Sequence, residues 1–138
     1  MSHLVDAAIA TKLATVSNIS TLAPGGIHNS VRPQGSAFPC VVFQLVSDMG
    51  LAQTYADGGV ERLVYDVKVI GTAANGGQVN VGALVESIHG VLERGALSIT
   101  GKTHLQTLRV RRLPTFVQEV AGVSYVTRGA SYEVSFTA

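Results

Sequence analysis

The chain has 138 residues, enough for one hydrophobic core and too few for two of ordinary size, so a single domain spanning 1–138 is expected. Apolar residues make up 46% and charged residues only 14%, against a norm of roughly 25% charged, which implies a surface of the kind that neighbours cover. A net charge of +1 supplies no field for gripping a polyanion, and a single cysteine excludes an internal disulfide framework and agrees with a reducing compartment.

In chain order, Ser2 is placed to cap a helix, and Leu4, Val5, Ala8, Ile9, Leu13 and Val16 recur on one face of it, so Ser2 to Val16 reads as amphipathic helix. Three prolines and three glycines between Ser20 and Pro39 argue against regular helix there, with a short edge strand expected from Ile27 to Val31. Cys40 to Val46 is β-branched, aromatic and nearly all apolar, as in a strand covered on both faces. From Leu63 to Ile70 the pattern alternates, with Leu63, Tyr65, Val67 and Val69 on one face and Arg62, Asp66 and Lys68 on a wetter one.

Gly71 to Asn80 reads as a linker containing Asn75-Gly76-Gly77, and its last residue, Asn80, can cap a second helix. Val81, Leu84, Val85, Ile88 and Leu92 form that helix's apolar stripe, and Gly95 falls where it should stop. Beyond Ser98 the pattern returns to strands. In Leu105 to Leu113 alternation places Leu108 and Val110 under the helices and Arg109 and Arg111 on the opposite face, while Val123 to Val126 and Tyr132 to Phe136 are further strands. The order predicts an α+β fold, a mostly antiparallel β-sheet with two α-helices packed on one face.

The purest apolar stretch, Cys40 to Phe43, is broken by Gln44, whereas a spanning helix needs about 20 apolar residues. Met1-Ser2-His3-Leu4 has neither the basic start nor the apolar core of a secretion signal, so residence in the cytoplasm with no membrane association is expected. Gly101-Lys102-Thr103 resembles the end of a phosphate-binding loop, but the required earlier glycine falls on Ala96 and the flanking elements come in the reverse order. His3, His28, His89 and His104 lack the spacing of a zinc pair, and Cys40 heads a buried strand where a thiol is protonated and inert. Ser124 lacks the second glycine of a hydrolase elbow, and the acidic residues do not cluster. These failures predict no catalytic residue, no cofactor and no metal.

Val31-Arg32-Pro33-Gln34-Gly35, followed by Phe38-Pro39-Cys40-Val41-Val42-Phe43, resembles the loop-to-strand signature of the phage tail-terminator, or tail-completion, family. Tyr65 to Val69 is similar to the next strand of that family, Val81 to Leu92 to the following helix, and Ser131 to Phe136 to the closing strand. The pieces come in the family's order over nearly the whole chain, with a departure at Ile70-Gly71-Thr72-Ala73. The resemblance implies a virion protein assembled in the host cytoplasm as a homo-oligomeric ring, typically a hexamer, on the head-proximal end of the tail tube. Its partners would be copies of itself, the tail tube protein and a neck or head-completion protein, with genomic DNA passing through the lumen without specific binding.

Such a ring needs lateral patches that match head to tail. The expected contact residues are Arg109, Arg111 and Arg112 on the strand, with Asp57, Gly58, Gly59, Asn75, Gly76 and Gly77 in two glycine-rich segments that neighbours would order. One rival is a neighbouring neck or head–tail adaptor subunit. Another is a nucleic-acid-binding α+β module using Lys102, His104, Arg109, Arg111 and Arg112 as a contact strip, disfavoured by the small net charge and by only 6% aromatic residues.

Overall fold

The apolar stripe near the N-terminus forms helix α1, Ser2–Leu13, with Val5, Ala8, Ile9 and Leu13 buried against the sheet. The helix stops before Val16 because the backbone switches to three-residue hydrogen bonds, Thr15 N–H to Lys12 and Val16 N–H to Leu13, and the Thr15 hydroxyl also donates to the Lys12 carbonyl at 2.6 Å. Val16 is nonetheless buried. The computed structural model describes residues 2–17, 19–31, 37–48, 60–72 and 77–137. A one-turn helix, α2 (Ile19–Leu22), corrects the expectation that the breaker-rich stretch from Ser20 excludes helix, since the first breaker, Pro24, lies beyond it.

Strand β1, Ile27–Asn29, ends two residues earlier than expected, where Ser30 takes a φ of 71°. It runs parallel to β2, Cys40–Asp48. β2 is buried on both faces only from Cys40 to Phe43, and past a bulge between Leu45 and Ser47 it opens, with Val46 49% exposed. β3, Val60–Thr72, follows antiparallel and buries Leu63, Tyr65, Val67 and Val69 as the alternation requires. Its other face is drier than expected at Asp66, which is buried and accepts a hydrogen bond from the Ser131 hydroxyl.

Helix α3 spans Gly77–Leu92, so Gly77 belongs to a helix rather than a linker and Asn80 lies in the first turn rather than at the cap. The stripe Val81, Leu84, Ile88 and Leu92 is buried to 2% exposure or less, and this packing holds the helix to the sheet. The helix is closed by Arg94 in the left-handed region (φ 58°), one residue before the expected Gly95, and the Arg94 N–H donates to the Thr107 carbonyl at 2.7 Å. Gly95 is required for another reason, since a Cβ there would lie 2.0 Å from the Val91 carbonyl oxygen.

The last two strands, β4 (Thr103–Val120) and β5 (Val123–Thr137), form one long hairpin. Ala121 and Gly122 both have positive φ, 52° and 82°, the geometry of a two-residue turn whose twist matches its strands. The runs expected at Val123 to Val126 and Tyr132 to Phe136 are joined through Gly129, where a Cβ would stand 2.1 Å from the Val67 carbonyl oxygen of β3. The sheet order is β1-β2-β3-β5-β4, antiparallel except at β1, and α1 and α3 cover one face as the α+β reading expects. Among the described residues no helix is long and apolar enough to cross a membrane.

Candidate assembly surface

Strand β4 carries the expected contact arginines, and its register differs from simple alternation. Ladder shifts fall between His104 and Gln106, Arg109 and Arg111, and Leu113 and Phe116. Arg109 pairs with Tyr132, a core residue beside α3, so Arg109 is on the helix side. Leu108 pairs with Glu133 and Arg111 with Ser131, both on the back face, opposite α1 and α3, while Val110 is the bulged residue and half exposed. The placement of Leu108 and Val110 under the helices, with Arg109 and Arg111 both facing away, is therefore corrected. Arg112 pairs with Ala130 and returns to the helix side.

A side chain distant in sequence supports the second bulge. Both carboxylate oxygens of Glu93, just past α3, accept the Arg109 N–H, at 3.1 and 3.3 Å. Glu93 also lies 3.8 Å from His89 Nδ1, which is 3.2 Å from the Tyr132 hydroxyl. Burial, with some help from Glu93 and Glu86 against Arg109 and Arg112, pushes the Tyr132 phenol up to about 12, so it stays protonated and serves the packing rather than acting as a base. Glu93→Ala should cost about 1 kcal/mol and speed amide exchange at Arg109, because that N–H loses its acceptor. Glu93→Gln, which keeps an acceptor oxygen, should restore most of the protection.

The first shift sits beside a histidine. Leu97 N–H donates to His104 Nδ1 at 3.2 Å, so the neutral ring carries its proton on Nε2 and donates it to the Thr107 hydroxyl, 2.8 Å away and 1% exposed. Burial, reinforced by the positive charge of Lys12 and opposed by a backbone hydrogen bond at Gln106, lowers the His104 pKa below 6.5. The folded state thus prefers the neutral ring, and its contribution is complete above pH 6.5 and declines as pH falls through the lowered value. Thermal melts at about pH 7.5 and about pH 5 should show the parent losing more stability on acidification than His104→Gln. An equal loss in both proteins would rule out this linkage.

Beyond Leu113 the hairpin leaves the core. Every residue from Pro114 to Val123 is exposed, including Phe116 (57%), Val117 (55%), Val120 (49%) and Val123 (40%). Phe116 and Val120 pair with Thr127 and Val123 on the back face, and Val117 pairs with Val126 on the helix side, so both faces of the hairpin end are apolar. At its root, Asp66, Lys68 and Ile70 of β3 with Leu113, Phe116 and Thr127 line a back-face cleft of about 390 Å³. The Arg111 Nε donates to the Ser131 hydroxyl at 3.4 Å, and that hydroxyl donates to Asp66.

The structure therefore divides the proposed arginine set, with Arg109 and Arg112 on one face and Arg111 on the other, and the nucleic-acid strip has no common face. Asp57, Gly58, Gly59, Asn75 and Gly76 lie outside the described residues, and Gly77 opens α3. The exposed group Phe116, Val117, Val120 and Val123 was not singled out from the sequence. In the sequence it reads only as a strand with apolar residues at both parities, a pattern that a strand buried on both faces shares. Among the described residues no three His, Cys, Asp or Glu side chains gather as metal ligands, and Cys40 is fully buried.

A family model described as tail completion protein gp17 matches residues 7–118, from α1 into β4. The chain belongs to this tail-completion family. It is a structural protein of the phage tail, located in the virion. Among solved structures, a chain from the virion of a native gene transfer agent particle is similar at 15% identity, covering 94% of this chain and 92% of its own, with a TM-score of 0.63. A second is 13% identical and covers 97% of this chain and 95% of its own, with a TM-score of 0.56. These likenesses are of fold and cover nearly the full length, including β5, which lies outside residues 7–118. No curated protein sequence matches the chain.

Proposed function

We propose that the whole chain, 1–138, acts as one non-enzymatic domain that assembles into a ring, a hexamer, on the head-proximal end of the tail tube. There it stops tube growth and offers a docking face to the neck or head-completion protein, while DNA passes through the lumen without specific recognition. The observation that carries this reading is the hairpin end, which holds Phe116, Val117, Val120 and Val123 in solvent on a subunit of a tail-completion family. Apolar surface gathered in one exposed element marks a contact with another protein. The relative from a gene transfer agent virion supports a particle-bound role.

Negative-stain imaging of the purified protein mixed with tail tubes tests the proposal. Rings should cap one end of each tube, and capped ends should not lengthen when tube protein is added. Binding along tube walls, or growth past the ring, would refute it.

A further inference from the structure

We infer that the tip of the β4–β5 hairpin seats on a second copy of the chain, in a basic bowl between the end of α1 and the connection from α3 to β4. The inference rests on the ring reading and names the contact that would build the ring. The tip is Val120-Ala121-Gly122-Val123, small, apolar and exposed, and the one charge between Leu113 and Thr127 is Glu119.

The bowl encloses about 300 Å³ and is lined by Ala8, Thr11, Lys12, Thr15, Leu97 and Ser98. These are mostly small side chains, so the space suits a narrow apolar turn. Its surroundings are positive. Lys12 lines it, Arg94 and Lys102 belong to the connection beside it, and the Lys12 Cε lies 3.2 Å from where a Gly95 Cβ would be. The nearby acids keep their charge but are turned to other partners, Glu93 to the Arg109 N–H and Asp6 to Asn29 and Tyr65. A tip carrying one carboxylate thus faces a receptor bordered by cations, a match that favours this pairing over others.

Register separates the two patches within a chain. Thr103 pairs with Thr137 at the bowl's end of the hairpin and Val120 pairs with Val123 at the other, across an 18-residue strand that spans on the order of 50 Å. Tip and bowl therefore meet only between copies, and because they are different patches the contact is head to tail, the kind that closes rings. Pairing of two β4 edges is opposed by the bulges, by Pro114 and by Arg109, Arg111 and Arg112, while tip-to-tip contact would bring two Glu119 carboxylates together.

The test uses Val120→Cys in one batch of the full chain and Thr11→Cys in another, with Cys40 left in place because it is buried. The two are mixed with tail tubes and treated with a short bis-maleimide linker. The expected product joins one chain of each batch, and a chain carrying both substitutions should give a ladder. If rings cap the tubes but only tip–tip, tip–tube or no links form, the inference is wrong and the ring reading stands. If no rings form, both fail. Independently, Glu119→Lys and Lys12→Glu should each lower ring occupancy about tenfold, and their combination should recover it. Failure of the combination to recover in proteins with parental melting temperatures would also overturn the contact.

Discussion

Replacing Phe116 and Val120 together by Thr should abolish capping of tail tubes while costing the free subunit less than about 1 kcal/mol. Both positions are about half exposed on the back face of the hairpin end, so the folded monomer gains little from their apolar surface. Threonine keeps good strand propensity, which isolates the loss of apolar area from any change in the hairpin. Burying such side chains in a contact is worth about 1.5–3 kcal/mol each. Repeated at every junction of a ring, the loss should leave subunits dispersed. Sedimentation with tubes measures binding and a melt measures stability, and undiminished capping by the double variant would remove the hairpin from the assembly surface.

Leu84→Ala should cost about 2–5 kcal/mol in chemical denaturation, whereas Leu108→Ala should cost less than about 1. Leu84 is fully buried in the stripe of α3, where truncation leaves a cavity among tightly packed neighbours. Leu108 is half-buried opposite Glu133, on the face opposite α1 and α3. Unbroken alternation along β4 would have made the two leucines equivalent. Equal losses would therefore contradict the bulged register, and with it the division of Arg109 from Arg111.

The contrast between those leucines also separates what was legible in the sequence from what was not. Helices α1 and α3 and the buried face of β3 follow from short-range periodicity, because every residue in each stripe meets the same core. Strand β4 escapes that logic. Its second bulge is held by Glu93, sixteen residues away, and its neighbouring backbone receives the Arg94 N–H at Thr107, so the register depends on contacts that no local pattern records. The arginines were found as residues and misplaced as a surface. The apolar hairpin end was visible as β-prone sequence, but recognising that it stays exposed requires knowing that β4 lies at the sheet edge and extends past the helices.

The place of β5 in the sheet has a consequence for how the chain is made. β5 is the last strand in sequence, yet it lies between β3 and β4, and Val60 of β3 pairs with Thr137 at its far end. During synthesis α1, α3 and the first three strands emerge without the strand that completes β3, leaving one side of Val67 and Val69 without its neighbour. Such long-range pairing slows folding, whereas the β4–β5 hairpin, whose turn is local, can form within about 1–10 μs once made. Closure of the sheet thus waits for translation of β5 and then proceeds by docking a preformed ribbon, so the nascent chain carries the open edge of β3 until its last residues are made.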